Sequence, residues 1–140
     1  MKTLFLDANI FFTATLSREG GSALLFKLAE GKQFKLVSSL YALEEAKRNL
    51  QYKVGDECIP YFLSLVSLLS YVDQGAASQE ETDFWDSWLI QKDIPILLSA
   101  LKQKADVLVT LDRKDFMSAR MQKAPLKLLI QTPGDFLKSL

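Results

Sequence analysis

Histidine is absent from the 140-residue chain, and cysteine occurs once, at Cys58. The first absence excludes Ser-His-Asp and Cys-His nucleophiles, imidazole acid–base catalysis and His-ligated zinc. The second excludes an intramolecular disulfide, so a secreted disulfide scaffold is ruled out and a reducing cytoplasm is the expected compartment. An excess of one charge is also missing, because 17 Lys and Arg balance 17 Asp and Glu. Long apolar runs are lacking too. The uncharged stretch Ile59–Val72 has 14 residues, short of the roughly 20 that span a bilayer. Asp7 interrupts the first apolar run, so no signal-peptide core forms there. No membrane association is expected. Repeats, low-complexity segments and dividing linkers are absent as well, and one domain over residues 1–140 is expected.

What remains is ordinary globular material, 49% hydrophobic and 24% charged. Three short apolar runs read as central parallel strands, Thr3–Leu6, Val107–Thr110 and Leu126–Ile130, with Phe34–Ser38 as a fourth. Helical patterns lie between them. Ser22–Glu30 stops at Gly31, and Ser39–Tyr52 places Leu40, Leu43, Ala46 and Leu50 along one side. Glu57–Ser70 and Glu80–Gln91 follow. Asp93–Lys104 opens on Asp93 as an N-cap, with Pro95 in its first turn. Alternating strands and helices imply an α/β sandwich with a mostly parallel sheet.

Asp7 directly follows the first strand, and Asp112 lies two residues beyond Thr110. Sites in open α/β sheets form beyond the carboxyl ends of strands, so these two acids can share one crevice. Singly, each acid has a plain role. Asp7 and Asp93 suit caps, one of Glu44 and Glu45 suits a solvated helix face, and Asp112 and Asp115 suit a polar turn. As a set they repel, and a site holding three or four of them needs a cation. Oxygen ligands without His or Cys suit Mg²⁺ or Mn²⁺, the usual ions of phosphoryl chemistry. Removing Asp7, Glu45, Asp93 and Asp112 from the 17 acids leaves 13 against 17 bases, a net positive remainder that suits a polyanion. The charge is also uneven along the chain. Six acids and one base lie in Asp73–Asp93, and eight bases and four acids in Ile94–Leu140.

These segments resemble the PIN domain family, metal-dependent ribonucleases that include the VapC-type toxins. LDANIFF at Leu6–Phe12 is similar to the family's first strand and its Asp-x-Asn signature. SSLYALEEAKRNL at Ser38–Leu50 resembles the helix that carries its glutamate, and KDIPILLSALKQKADVLVTLDRKDF at Lys92–Phe116 resembles its third and fourth acidic positions. TPGDFL at Thr132–Leu137 resembles the closing segment. The likeness implies a three-layer α/β/α sandwich around a mostly parallel sheet of four or five strands. It implies catalytic roles for Asp7, Glu45, Asp93 and Asp112, with Asp7, Asp93 and Asp112 on Mg²⁺ or Mn²⁺. Glu45 is preferred over Glu44 because it stands five residues before Leu50, and Glu44 projects about 100° away. Asn9 and Thr110 match supporting positions, and Asp115 matches an auxiliary acid. Leu111 stands where the family often has glycine, which is expected to shift the turn and the aim of Asp112.

The implied substrate is single-stranded or looped RNA, cut to 5′-phosphate and 3′-hydroxyl products, with Arg113 and Lys114 the nearest bases in sequence. The implied partners are an antitoxin protein and a second copy of the chain in a homodimer. A catalytically inactive PIN domain that binds RNA or protein is the alternative. A haloacid dehalogenase-type phosphatase is disfavoured, because its second aspartate would fall on Asn9. Two segments carry open readings. Phe84, Trp85 and Trp88 suit an amphipathic helix, or a partner or base-stacking surface. Glu57–Ser70, with Ser64, Ser67 and Ser70 at three-residue spacing, suits a core helix or an oligomer face.

Overall fold

The computed structural model describes residues 1–75 and 77–140. The chain runs β1 (Thr3–Leu6), α1 (Ala8–Leu16), α2 (Gly21–Glu30), β2 (Lys35–Ser39), α3 (Leu40–Lys53), α4 (Ile59–Val66), β3 (Tyr71–Asp73) and α5 (Gln79–Trp85). It continues through α6 (Ile94–Lys102), β4 (Val107–Val109), α7 (Arg113–Phe116), α8 (Ala119–Gln122), β5 (Leu129–Gln131) and α9 (Pro133–Lys138). All strand pairs are parallel, in the order β3-β2-β1-β4-β5. This is the expected α/β/α sandwich, with five strands.

β1 is central because Leu4, Phe5 and Leu6 are apolar on both faces, and all three are fully buried under helices. From β1 the chain moves outward to β2 and β3, then crosses back to lay β4 on the other side of β1. The strand order therefore reverses between β1 and β4, and parallel sheets bind ligands beyond such a reversal. Asp7 leaves the end of β1 there, and Thr110 to Asp112 leave the end of β4. Phe11 on α1, Phe26 on α2 and Phe62 on α4 meet at ring separations of 5.6 and 6.2 Å and hold that layer together.

Several elements differ from expectation. α1 carries apolar residues nearly all round, so no polar stripe marks it, and Ile10, Phe11 and Ala14 are fully buried. The expected Glu57–Ser70 helix shortens to α4. A 3-10 turn precedes it and Pro60 stands in its first turn. Beyond it, Ser67 turns its hydroxyl onto the Ser64 carbonyl, and the Ser70 amide pairs with Leu36 to open β3. The expected Glu80–Gln91 helix stops at Trp85, since acids in its later turns oppose the helix dipole. Trp85 is buried, while Phe84 is exposed and stacks on it at 5.2 Å. The last strand begins at Leu129, after a turn closed by Leu126 on Ala124. Gly31 keeps a negative φ, and Lys32 takes the left-handed turn after α2 instead. No helix among the described residues is long and apolar enough to cross a membrane.

Candidate functional site

Asp7 caps α1, its Oδ1 accepting the Ala8 amide at 2.7 Å. Its Oδ2 accepts the Thr110 hydroxyl at 2.7 Å and the Asn9 amide nitrogen at 3.3 Å. Asn9 Nδ2 also donates to Thr110 Oγ1 at 3.3 Å, and Asn9 Oδ1 accepts the Leu111 amide at 3.1 Å. Thr110 Oγ1 in turn accepts the Asp112 amide at 3.0 Å. One network thus joins the ends of β1 and β4. It sets where Asp112 begins, and Asn9 and Thr110 both take part in it. The positive-φ residues described are Lys32, Lys104 and Gly55, so the turn at Leu111 needs no glycine. The Asn9 side chain holds the Leu111 amide directly.

Asp93 stands at the N-terminus of α6 but makes no capping hydrogen bond, contrary to its reading as an N-cap. Its backbone lies in a 3-10 turn, in the helical region and not the extended conformation a cap needs. The carboxylate is released for other use. Oδ1 pairs with Lys92 Nζ at 2.9 Å, and Oδ2 is buried without a partner among the described residues. Asp93, Asp112 and Asp115 bring one carboxylate oxygen each within 4.8 Å of one another. Asp112 Oδ1 also accepts the Asp115 amide at 2.9 Å, fixing both at the start of α7. Three converging carboxylates, one of them with a buried unpartnered oxygen, fit a hard divalent cation. Asp7 falls outside that 4.8 Å group, its two oxygens already engaged.

The electrostatics agree with a site short of positive charge. Burial pushes Asp7 from its ordinary 3.8 up to about 6; the Thr110 and Ala8 hydrogen bonds pull back, and the Asp93 and Glu45 charges add to the rise. Burial also raises Asp93; Lys92 opposes it, and Asp112 and Asp115 push it further. Burial works against the Lys92 ammonium, but its bond to Asp93 and the nearby acids outweigh this and raise its pKa.

Glu45 is half-buried on α3, and its charge reaches Asp7, Lys92 and Tyr41. Glu44 is exposed and lines a separate cavity. The helix therefore turns Glu45, and not Glu44, toward the acids. Two further residues were not anticipated. Lys92 neutralises one side of Asp93, and Tyr41 donates its hydroxyl to the Lys92 carbonyl at 2.7 Å, bracing the loop that carries Asp93. The only available signal was position: Lys92 adjoins Asp93, and Tyr41 lies one helical turn before Glu45.

The same fold occurs in solved structures. VapBC2 from Rickettsia felis, bound to a DNA fragment from its promoter, is 18% identical over 93% of this chain and 98% of that one, with a TM-score of 0.65. VapBC-1 from nontypeable Haemophilus influenzae is 17% identical over 94% and 98%, at 0.63. Mycobacterium tuberculosis VapC20, a Sarcin-Ricin loop cleaving toxin, is 12% identical over 89% and 98%, at 0.58. The chain has a PIN-like fold of the VapC type. At these identities the likeness establishes the fold. No protein-family model matches the sequence, and no curated protein matches it either. On this VapC-type fold the acids gather where the strand order reverses. A carboxylate cluster there can hold a cation and, through it, a phosphate.

Proposed function

We propose that the chain is a Mg²⁺- or Mn²⁺-dependent endoribonuclease, the toxin of a toxin–antitoxin pair, acting on single-stranded or looped RNA in the cytoplasm. The observation that carries this reading is the buried, unpartnered Oδ2 of Asp93 beside Asp112 and Asp115. Asp7, Asp93 and Asp112 would hold the ion, with Asp115 beside them. When bound, the ion supplies neutralising charge, a polarised phosphodiester and a water acidic enough to attack in line.

The protein's own groups do the rest. Thr110 and Asn9 hold Asp7 in one rotamer, so the site is organised before substrate arrives. Glu45, half-buried at the edge, accepts the proton of the attacking water. Lys92 tempers the charge of Asp93. Arg113 and Lys114, exposed next to Asp112, hold the RNA backbone. The products carry 5′-phosphate and 3′-hydroxyl ends. The VapBC assemblies among the structural neighbours support an antitoxin as the protein partner. A homodimer belongs to the same reading.

Purified protein incubated with unstructured and hairpin RNAs tests it. Cleavage is expected with Mn²⁺ or Mg²⁺. It should stop in EDTA and in Asp7→Asn and Asp93→Asn. RNA binding without cleavage in any metal would overturn it and leave a non-catalytic binding module on the same fold.

A further inference from the structure

Beside the acids lies a second cavity of about 350 Å³, at the carboxyl ends of β2 and β3 between α3, α5 and α6. Tyr41 and Pro95 line it, and Tyr41 is the residue that braces the Asp93 loop, so the two sites share a wall. Leu98 adds a further apolar surface. Its polar groups are mixed. Glu44 makes no hydrogen bond or ion pair among the described residues, and Glu81 is a second acid, half engaged in the capping box of α5. Lys102 Nζ is held in the wall by buried Asp73 at 3.1 Å. The Lys102 ammonium lies close against the backbone of Gly75.

This chemistry narrows the occupant. The negative charges of Glu44 and Glu81 repel a phosphate. Lys102, its charge balanced by Asp73, offers N–H donors that a guanidinium or ammonium cannot accept. A flat, neutral group with donors and acceptors on one edge satisfies both, and the volume lies within the range of ligand pockets. We propose that the cavity takes one extruded base of a single-stranded RNA, stacked on Tyr41, with its exocyclic amino group donating to Glu44 and a ring acceptor on Lys102. Adenine, cytosine and guanine carry such an amino group and uracil does not. The groove continues past Lys102 to exposed Phe84, which offers a stacking face to a following base. The proposal rests on reading the chain as an RNA-cutting enzyme, and it makes this cavity the source of its base preference.

Fluorescence anisotropy of labelled A8, C8 and U8 oligoribonucleotides, on the full chain in EDTA, tests binding without cleavage. A8 and C8 are expected to bind about tenfold tighter than U8. Glu44→Gln should erase that preference, and Tyr41→Leu should weaken all three about tenfold. Equal binding of the three, or a preference that survives Glu44→Gln, overturns the proposal. So does octa-arginine binding that Glu44→Gln abolishes without any base preference, which would assign the cavity to a basic protein segment. Cleavage in Mn²⁺ with no base preference would sink the cavity and keep the nuclease. Base-selective binding with no cleavage in any metal would sink the nuclease and keep the cavity.

Discussion

Asp7 is a carboxylate held where its charge is unwelcome. The folded protein binds its proton more tightly than the unfolded chain does, with pKa values of about 6 and 3.8. Its contribution to stability is therefore complete below pH 3.8 and is lost as pH rises through about 6, a cost on the order of 3 kcal/mol. Asp7→Asn is expected to raise stability in EDTA at pH 8 by about 1 kcal/mol, less than the full cost because its Nδ2, in the place of Oδ2, cannot accept from Thr110, and to abolish cleavage in Mn²⁺. Urea melts at pH 5 and pH 8 check this: the variant should change less between them than the parent, and an equal change would refute the charge account. Thr110 makes the complementary case. Thr110→Val leaves the Asp112 amide without its acceptor and is expected to cost about 1–3 kcal/mol. Thr110→Ser should restore both stability and cleavage; a Ser variant as impaired as Val would show that packing, not the hydroxyl, matters there.

Among the elements, α6 illustrates how a helix end serves a site. Its N-terminus gives up the Asp93 cap and carries Pro95 in its first turn, where a missing amide needs no partner. Its C-terminus closes through the Ala105 amide on Ala100, with Lys104 in the left-handed region at φ 54°. A Cβ in that conformation is strained by about 1–2 kcal/mol. Lys104→Gly removes the strain at some entropic cost in the unfolded chain, for a net gain of about 0.5–1 kcal/mol. A shift of the denaturation midpoint to higher urea is the expected readout, and a lower midpoint would contradict the strain assignment. α3 shows the same local logic at its start, where Ser39 caps the helix through the Ala42 amide. That cap fixes the helix's rotation, and with it which of Glu44 and Glu45 turns toward Asp7.

For the molecule as a whole, the acids put strain on the metal-free fold that a cation should relieve. A ligand that binds only the folded state stabilises it by about 2.7 kcal/mol at a hundredfold excess over Kd. Mn²⁺ is therefore expected to raise the thermal midpoint of the parent. It should do so far less for Asp112→Asn, which removes one of the three converging carboxylates. An equal rise in both would place the ion elsewhere. The strand order makes the cluster possible. Asp7 and Thr110 are 103 residues apart in sequence, yet β1 and β4 are neighbours and their ends share one hydrogen-bond network.

Local chemistry was legible before any coordinates. Apolar runs marked β1, β2 and β4 because strands covered on both faces must be apolar throughout. The lack of histidine left carboxylates as the chemistry available, and their places after strands marked Asp7 and Asp112. Short or unpatterned elements were not legible. β3 has three residues, α1 lacks a polar stripe, and both are held by tertiary contacts stronger than their local preference. Tertiary structure alone decided that Asp93 would forgo its cap, that oxygens of Asp93, Asp112 and Asp115 would converge within 4.8 Å, and that Tyr41 would stand between the acids and a second cavity. Each depends on groups distant in the chain being brought within a few ångströms, and composition and periodicity carry no information at that range.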